Sequence, residues 1–441
     1  MKLNRYGFAL RLGGLAVILL AVACSASPTP IPAAPAAPAA RPAPRPPEVA
    51  TVSPTAIAAS QPTPAATESP RTSGSAEDAA AGGESLFSWD FQEVDSGTKP
   101  AIALSSDDVP HIAYMLEDLN GFVKSATRTD SGWQLDTIAE GYFYGPLDIG
   151  IGPDDVQQVA YHDHQGATFQ PNKGDAVLAK KSNGKWTLEA IFDAGHDGWD
   201  TRIFVDSDSR AHLSAIDPME FGGDGVEYYS QDETGAWTVE NVGSGELTYK
   251  WATSVAVGPD GVPYVTYYDQ KKNDLVLASK IDGAWQLETV DSAGDTGLFS
   301  SVLVDEQGGV HISYMKQESA SSGTVMYAVK GPSDDAWKID EIGGLDSLEF
   351  GFIGARNVTS LSLDGAGNPW IAYTDEKVVK LALWDGSQWQ IEIVLDAGKD
   401  KLGQLVSLKL DSKDEPHITY FVVTSSRPLG GNIMYAKGTQ K

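Results

Sequence analysis

The sequence predicts an all-β fold: a seven-bladed β-propeller of four-stranded blades, behind a disordered N-terminal tether. Three observations predict it. Tryptophan recurs at Trp89, Trp133, Trp186, Trp237, Trp285, Trp337 and Trp389, a period of about 50 residues that suits one blade per repeat. Each tryptophan opens an alternation of apolar and polar residues, as in Trp285-Gln-Leu-Glu-Thr-Val290, Trp389-Gln-Ile-Glu-Ile-Val394 and Trp89-Asp-Phe-Gln-Glu-Val94. That period of two marks a strand with one covered face. Between tryptophans, three further strand signals follow in a fixed order, which makes four short strands per repeat.

The chain begins with a positive region, Lys2, Arg5 and Arg11, followed by an apolar run over residues 12–23. The run is too short for a spanning helix and suits a signal peptide. It ends in Ala21-Val22-Ala23-Cys24. Small residues ahead of a cysteine resemble the lipobox of bacterial lipoproteins, with Ala21 where leucine is more usual. The resemblance implies that residues 1–23 are removed and that Cys24 becomes the lipidated first residue. The partner is then a membrane, held through the lipid anchor, and the site is the cell envelope with the folded body extracytoplasmic. The alternative is an ordinary secretory signal with a chance cysteine. Cys24 is the only cysteine, so no disulfide is available and the body must be held by its core.

Residues 24–85 are rich in proline, alanine, serine and threonine. Such a stretch buries too little to offset the entropy of ordering and is expected to be a disordered tether. Runs such as Pro28-Thr29-Pro30 favour polyproline II. Fully extended, about 60 residues at roughly 3.1 Å each would reach on the order of 190 Å.

Residues 86–441 are expected to form the propeller. Inner strands start near Ala101, Asp148, Arg202, Ser254, Ser301, Ser360 and Ser407. A tight turn such as Gly258-Pro259-Asp260-Gly261 leads to a His-Ile-x-Tyr strand at 111–114, 311–314 and 417–420, with variants elsewhere. A third strand follows at 275–279, 325–328 and 433–436. The first tryptophan strand has no repeat before it, and the last repeat lacks a fourth strand. Residues 88–94 are therefore expected to close the ring as the outer strand of the last blade, leaving no open inner edge.

These repeats resemble those of secreted sialidase-like propellers, over about residues 87–441. The departures are specific. Asp-boxes are absent as such; Ser362-Leu-Asp364-Gly-Ala-Gly367-Asn-Pro-Trp370 is a loose echo in a different turn. Arg128, Arg202, Arg210, Arg356 and Arg427 are the arginines of the body, and no three of them fall at matching loop positions. Fold resemblance alone transfers no activity.

The net charge is −28, from 32 basic and 60 acidic side chains. Residues 1–85 carry six basic and five acidic residues, so the acid sits in the body. Such a body repels phosphate backbones, and nucleic acid is excluded as a partner. Cations or neutral ligands suit it better, as does a ligand-free solvated surface.

With strands lettered A to D from the axis outward, the A→B and C→D turns are short and stereotyped. The D→A and B→C loops vary, and variable loops on a regular scaffold are where binding sits. The tryptophans read as packing. His111, His212, His311 and His417 at the start of strand B read as bonding the A→B turn.

Blades two and three break the repeat. His162 and His164 lie two apart and point the same way in an extended chain; His196 lies in the next D→A loop among carboxylates. Together they could hold a divalent metal such as zinc, or form a solvated polar loop. Asp148 and Arg202 stand where other blades have alanine or serine. They either pair with each other or provide polar contacts of a pocket at the channel mouth. Aromatics gather on the same face: Trp199, Trp251, Tyr142-Phe143-Tyr144, Tyr249, Phe299, Phe350 and Phe352. An aromatic rim suits sugar rings or an extended peptide; interblade packing is the alternative.

The function expected is a surface-displayed, monomeric binding module for a carbohydrate or protein ligand. A sialidase-like glycoside hydrolase or lyase is one alternative, and a structural envelope protein is another. No catalytic pair is singled out, so whether the chain is an enzyme stays open.

Overall fold

The structure, a computed structural model, describes residues 85–441 apart from 117–120, 144, 164–173, 192–197, 218–224, 244–252, 349–357 and 427–428. The regular structure of these residues is 28 β-strands in seven four-stranded sheets. Neighbouring strands are antiparallel throughout. The inner strands are Thr98–Leu104, Asp148–Ile151, Trp199–Val205, Ser254–Val257, Asp295–Val304, Thr359–Leu363 and Ser407–Leu410, in register with the starts expected from sequence.

Burial follows position in the blade. Strand B is covered on both faces; every residue of Pro369–Thr374 is buried. Strand D lies at the circumference, and Lys185–Ala190 is exposed at all but one position. The core is accordingly a set of apolar layers between adjacent blades. One layer joins Phe87, Trp370, Leu381, Leu408, Ile418 and Ala436 across blades six and seven. Blades stacked face to face bury both surfaces of their middle strands, which is why those strands read as nearly continuous apolar runs.

The ring closes as expected. Phe87–Ser96 pairs antiparallel with Leu429–Gln440 and forms the outer strand of blade seven. Buried Glu392 of blade six clamps it, accepting the Leu86 N–H at 2.9 Å and the Trp89 indole N–H at 2.7 Å.

That clamp is one instance of a repeated latch. The indole of Trp285 donates to Glu240, that of Trp337 to Glu288 and that of Trp389 to Asp340, at 3.0–3.1 Å. In each case the acceptor lies three residues after the tryptophan of the preceding blade. The ring faces pack edge-on against tyrosines, with Tyr228–Trp285 at 5.2 Å and Tyr327–Trp389 at 5.3 Å. The strand-D tryptophans are interblade joints.

The strand-B histidines also work within the scaffold. His311 Nδ1 meets Tyr327 Oη at 2.6 Å and its Nε2 meets Asp305 at 3.0 Å. His212 and His417 repeat this with Tyr228 and Asp206, and with Tyr435 and Asp411. The aspartate receives A→B turn amides on its other oxygen; Asp305 takes Gln307 and Gly309. Burial alone would raise the Asp411 carboxyl, but N–H groups of Glu415 and Lys413 and the His417 ring bring it below its usual value.

His111 has no aspartate there and meets Thr127 at 3.0 Å. Burial, helped by the nearby Lys181 charge, pulls its pKa down to about 4. A histidine held neutral in the fold and charged when unfolded makes the unfolded state the better proton binder at low pH. Its contribution is full above about pH 6.5 and is lost as pH falls from there to about 4. Stability is expected to drop by about 3 kcal/mol over that window from this group. Urea unfolding of wild type and His111→Gln at pH 7 and pH 4.5 checks it: the acid loss should shrink in the variant.

Candidate functional site at the axial channel

Seven inner strands bring Ala101, Asp148, Arg202, Ser254, Ser301, Ser360 and Ser407 to one level around the axis. An inner strand has no strand beyond it, so the amides on its free edge need other acceptors. The serines supply them across the blade boundary. Ser254 Oγ accepts the Val302 N–H at 3.1 Å, Ser301 that of Leu361 at 3.4 Å, Ser360 that of Leu408 at 3.0 Å and Ser407 that of Ile102 at 3.2 Å. In each case the donor is the residue after the equivalent position of the next blade.

Asp148 performs the same task with more reach. Its Oδ2 accepts the Ile203 N–H of blade three at 3.2 Å. Its Oδ1 takes the Ile149 N–H at 2.9 Å, the amide that Ala101 of the preceding blade has no side-chain acceptor to satisfy. Burial raises the Asp148 carboxyl above its usual value, against the charges of Arg202 and Lys409 and these two amides.

Arg202 breaks the pattern differently. Its Nη2 donates to Asp200 at 2.9 Å, and both side chains are buried. The approach depends on a bulge. Asp200 sits at φ 57, and the pairing register shifts between Trp199 and Arg202. Lys99 at φ 55 and Phe299 at φ 55 mark the same device in blades one and five. Bulged non-glycine residues re-aim the side chains beside them. Arg202 therefore pairs with Asp200, and Asp148 senses Arg202 through charge.

The level encloses an axial cavity of about 120 Å³, lined by residues of all seven blades, Asp148, Arg202, the four serines and Lys409 among them. Its lining runs from the start of the inner strands, where the D→A loops enter, as far as Phe204, Leu303 and Lys409, each the last but one residue of its strand. The opposite end is tied together by turn-to-turn bonds: Ser412 to Asp108, Ser106 to Asp155 and the Gly365 amide to Asp414.

Of the residues singled out from sequence, Asp148 and Arg202 meet at this cavity. Trp199 does not stand at its rim. The ring is wholly buried and lies 5.1 Å from the ring of His162, itself fully buried. Phe143 and Phe299 are buried as well, Phe143 edge-on against Tyr161. These described aromatics are interblade packing, the alternative reading, because the D→A loops carry them inward as each inner strand begins. Tyr144, Trp251, Tyr249, Phe350, Phe352, His164 and His196 lie outside the described residues, as does Cys24. Among the described residues no group of three metal-ligating side chains is assembled.

Sequence reasoning missed Lys409. It lies two residues beyond Ser407 on the same strand, hence on the same face. The equivalent positions Ala103, Gly150, Phe204, Ala256, Leu303 and Ser362 are uncharged. The irregularity that marked Asp148 and Arg202 was there one step further along the strand.

No protein-family profile matches the sequence, and no curated protein does. Solved structures match the fold. An ulvan lyase, from a new family of polysaccharide lyase, aligns with TM-score 0.52 and 11% identity over 77% of this chain and 94% of that one. A lectin of Aleuria aurantia aligns with TM-score 0.46 and 14% identity over 68% of this chain and 98% of that one. The NanB sialidase of Streptococcus pneumoniae aligns with TM-score 0.43 and 10% identity over 78% of this chain and 68% of that one. At such identities the likeness is one of fold.

Proposed function

We propose that this chain is a surface-displayed carbohydrate-binding propeller, tethered to a membrane through a lipid on Cys24, with its ligand held at the D→A/B→C end of the axial channel. The observation that carries the reading is the axial cavity. Charged side chains from blades two, three and seven replace a repeated serine or apolar pattern there. A repeat scaffold needs what its blades share; of the exceptions here, Asp148 bonds two amides, Arg202 bonds Asp200, and Lys409 has no ion pair among the described residues. The opposite end is occupied by turn-to-turn bonds. A polysaccharide lyase built on the same fold supports carbohydrate over protein as the ligand class.

A lyase or glycosidase reading has less behind it. Acid–base cleavage of a glycosidic bond uses carboxylates or an equivalent pair free to move protons. Asp148 is the only carboxylate among the described lining residues, so no carboxylate pair is present there, and each of its oxygens accepts a backbone amide.

Probing a glycan array with the purified chain, beside assays on chromogenic glycosides and acidic polysaccharides, tests the reading. Saturable glycan binding without turnover is expected. Turnover, or an array with no response, overturns it. The anchor has its own test. Cys24→Ser is expected to abolish incorporation of a fatty-acid probe and release the protein from membranes; equal labelling of the variant would end that part of the proposal.

A further inference from the structure

Four serine hydroxyls and the Lys409 ammonium line the axial cavity. Ser254, Ser301, Ser360 and Ser407 each accept a backbone N–H from the next blade. A hydroxyl that accepts still has its own hydrogen to donate. Among the described residues, none of these four hydroxyls has an acceptor for it. Lys409 lines the same cavity, half-buried, with no ion pair among the described residues. Asp148 in the same cavity accepts the Ile149 and Ile203 amides, one on each oxygen, and feels the charge of Lys409. Serine hydroxyl and lysine donors thus line one cavity, with Asp148 the one carboxylate among its described residues.

We propose that the axial mouth recognises an oxyanion, the carboxylate or sulfate group of an acidic sugar, through the serine hydroxyls and the Lys409 ammonium. The inference rests on the carbohydrate-binding reading and names the class of sugar. Charge-assisted hydrogen bonds to an anion are the stronger kind. A cavity of about 120 Å³ is smaller than the roughly 300 Å³ and more that enclose a drug-sized ligand. It takes one charged group and leaves the remainder of the sugar on the face above. The acid excess of the body does not forbid this. Exposed charges are screened over about 10 Å at 0.1 M salt, whereas these donors touch the ligand.

Isothermal titration of the full chain with glucuronate, glucose 6-sulfate, glucose, acetate and inorganic sulfate tests the proposal. Glucuronate and the sugar sulfate should bind at least about tenfold more tightly than glucose, as expected for one charged hydrogen bond. Lys409→Gln should erase that preference at an unchanged melting temperature, and Lys409→Arg should keep it. Equal binding of glucose and glucuronate overturns the proposal, as does a preference that survives Lys409→Gln. Acetate or sulfate binding as tightly as glucuronate makes a free anion the ligand and overturns the sugar assignment. Neutral glycans bound on the array equally by wild type and Lys409→Gln would leave the carbohydrate reading standing while removing this one.

Discussion

Deleting Phe87–Ser96 should unfasten the ring. The deletion strips the outer strand from blade seven and leaves Leu429–Gln440 as an unpaired edge. It removes Phe87, buried against Trp370 with ring centroids 5.7 Å apart. It also removes Trp89, whose indole N–H meets the buried Glu392. Losing one buried aromatic typically costs about 3–5 kcal/mol. Here two go together with a ladder of backbone bonds, so a loss of more than about 5 kcal/mol is expected. In a chain of this size that lowers the melting temperature by roughly 7 °C or more. The exposed edge should also recruit other copies. Circular dichroism melting and size-exclusion chromatography of the deletion, beside Trp89→Ala, check both effects. Trp89→Ala should fall between wild type and deletion. A deletion that melts with the parent and stays monomeric would show that the ring does not depend on this strand.

The scaffold was legible because its forces are local and repeated. Trp285, Trp337 and Trp389 each open an alternating strand, and period two with one covered face has few other solutions. The ring closure followed from an unmatched Trp89 strand at one end and a missing fourth strand at the other. The histidines could be assigned to turns because His311 and His417 recur at one position of the repeat, and a feature shared by several blades serves the blade. The site was harder for the same reason. Asp148 and Arg202 were visible as exceptions to the repeat, but their partners depend on where strands start across a blade boundary. The bulge at Asp200, which presents its carboxylate to Arg202, has no sequence signature stronger than an aspartate's tolerance of positive φ. Trp199 illustrates the opposite error. Aromatic content in a variable loop says nothing about whether the ring turns toward solvent or under the next blade, and here it packs on His162.

Asp148 provides the sharpest separation of scaffold from site. Asp148→Leu leaves the Ile149 and Ile203 amides without their acceptors, and each unsatisfied buried amide costs about 1–3 kcal/mol. A loss of about 2–6 kcal/mol is expected, read as a lower urea midpoint at unchanged slope. Asp148→Ser restores the serine pattern toward Ile203 alone. Combining it with Ala101→Ser supplies the missing acceptor for Ile149, by analogy with Ser407 toward Ile102. The double variant should therefore unfold within about 1 kcal/mol of wild type. Its channel would carry serines in six of seven inner positions and no lining carboxylate among the described residues. With the one negative charge beside Lys409 gone, affinity for glucuronate should rise in the double variant while it falls in Lys409→Gln. If Asp148→Leu proves as stable as the double variant, the carboxylate is not what satisfies these amides. Its conspicuous place in the sequence would then have to be explained by the ligand alone.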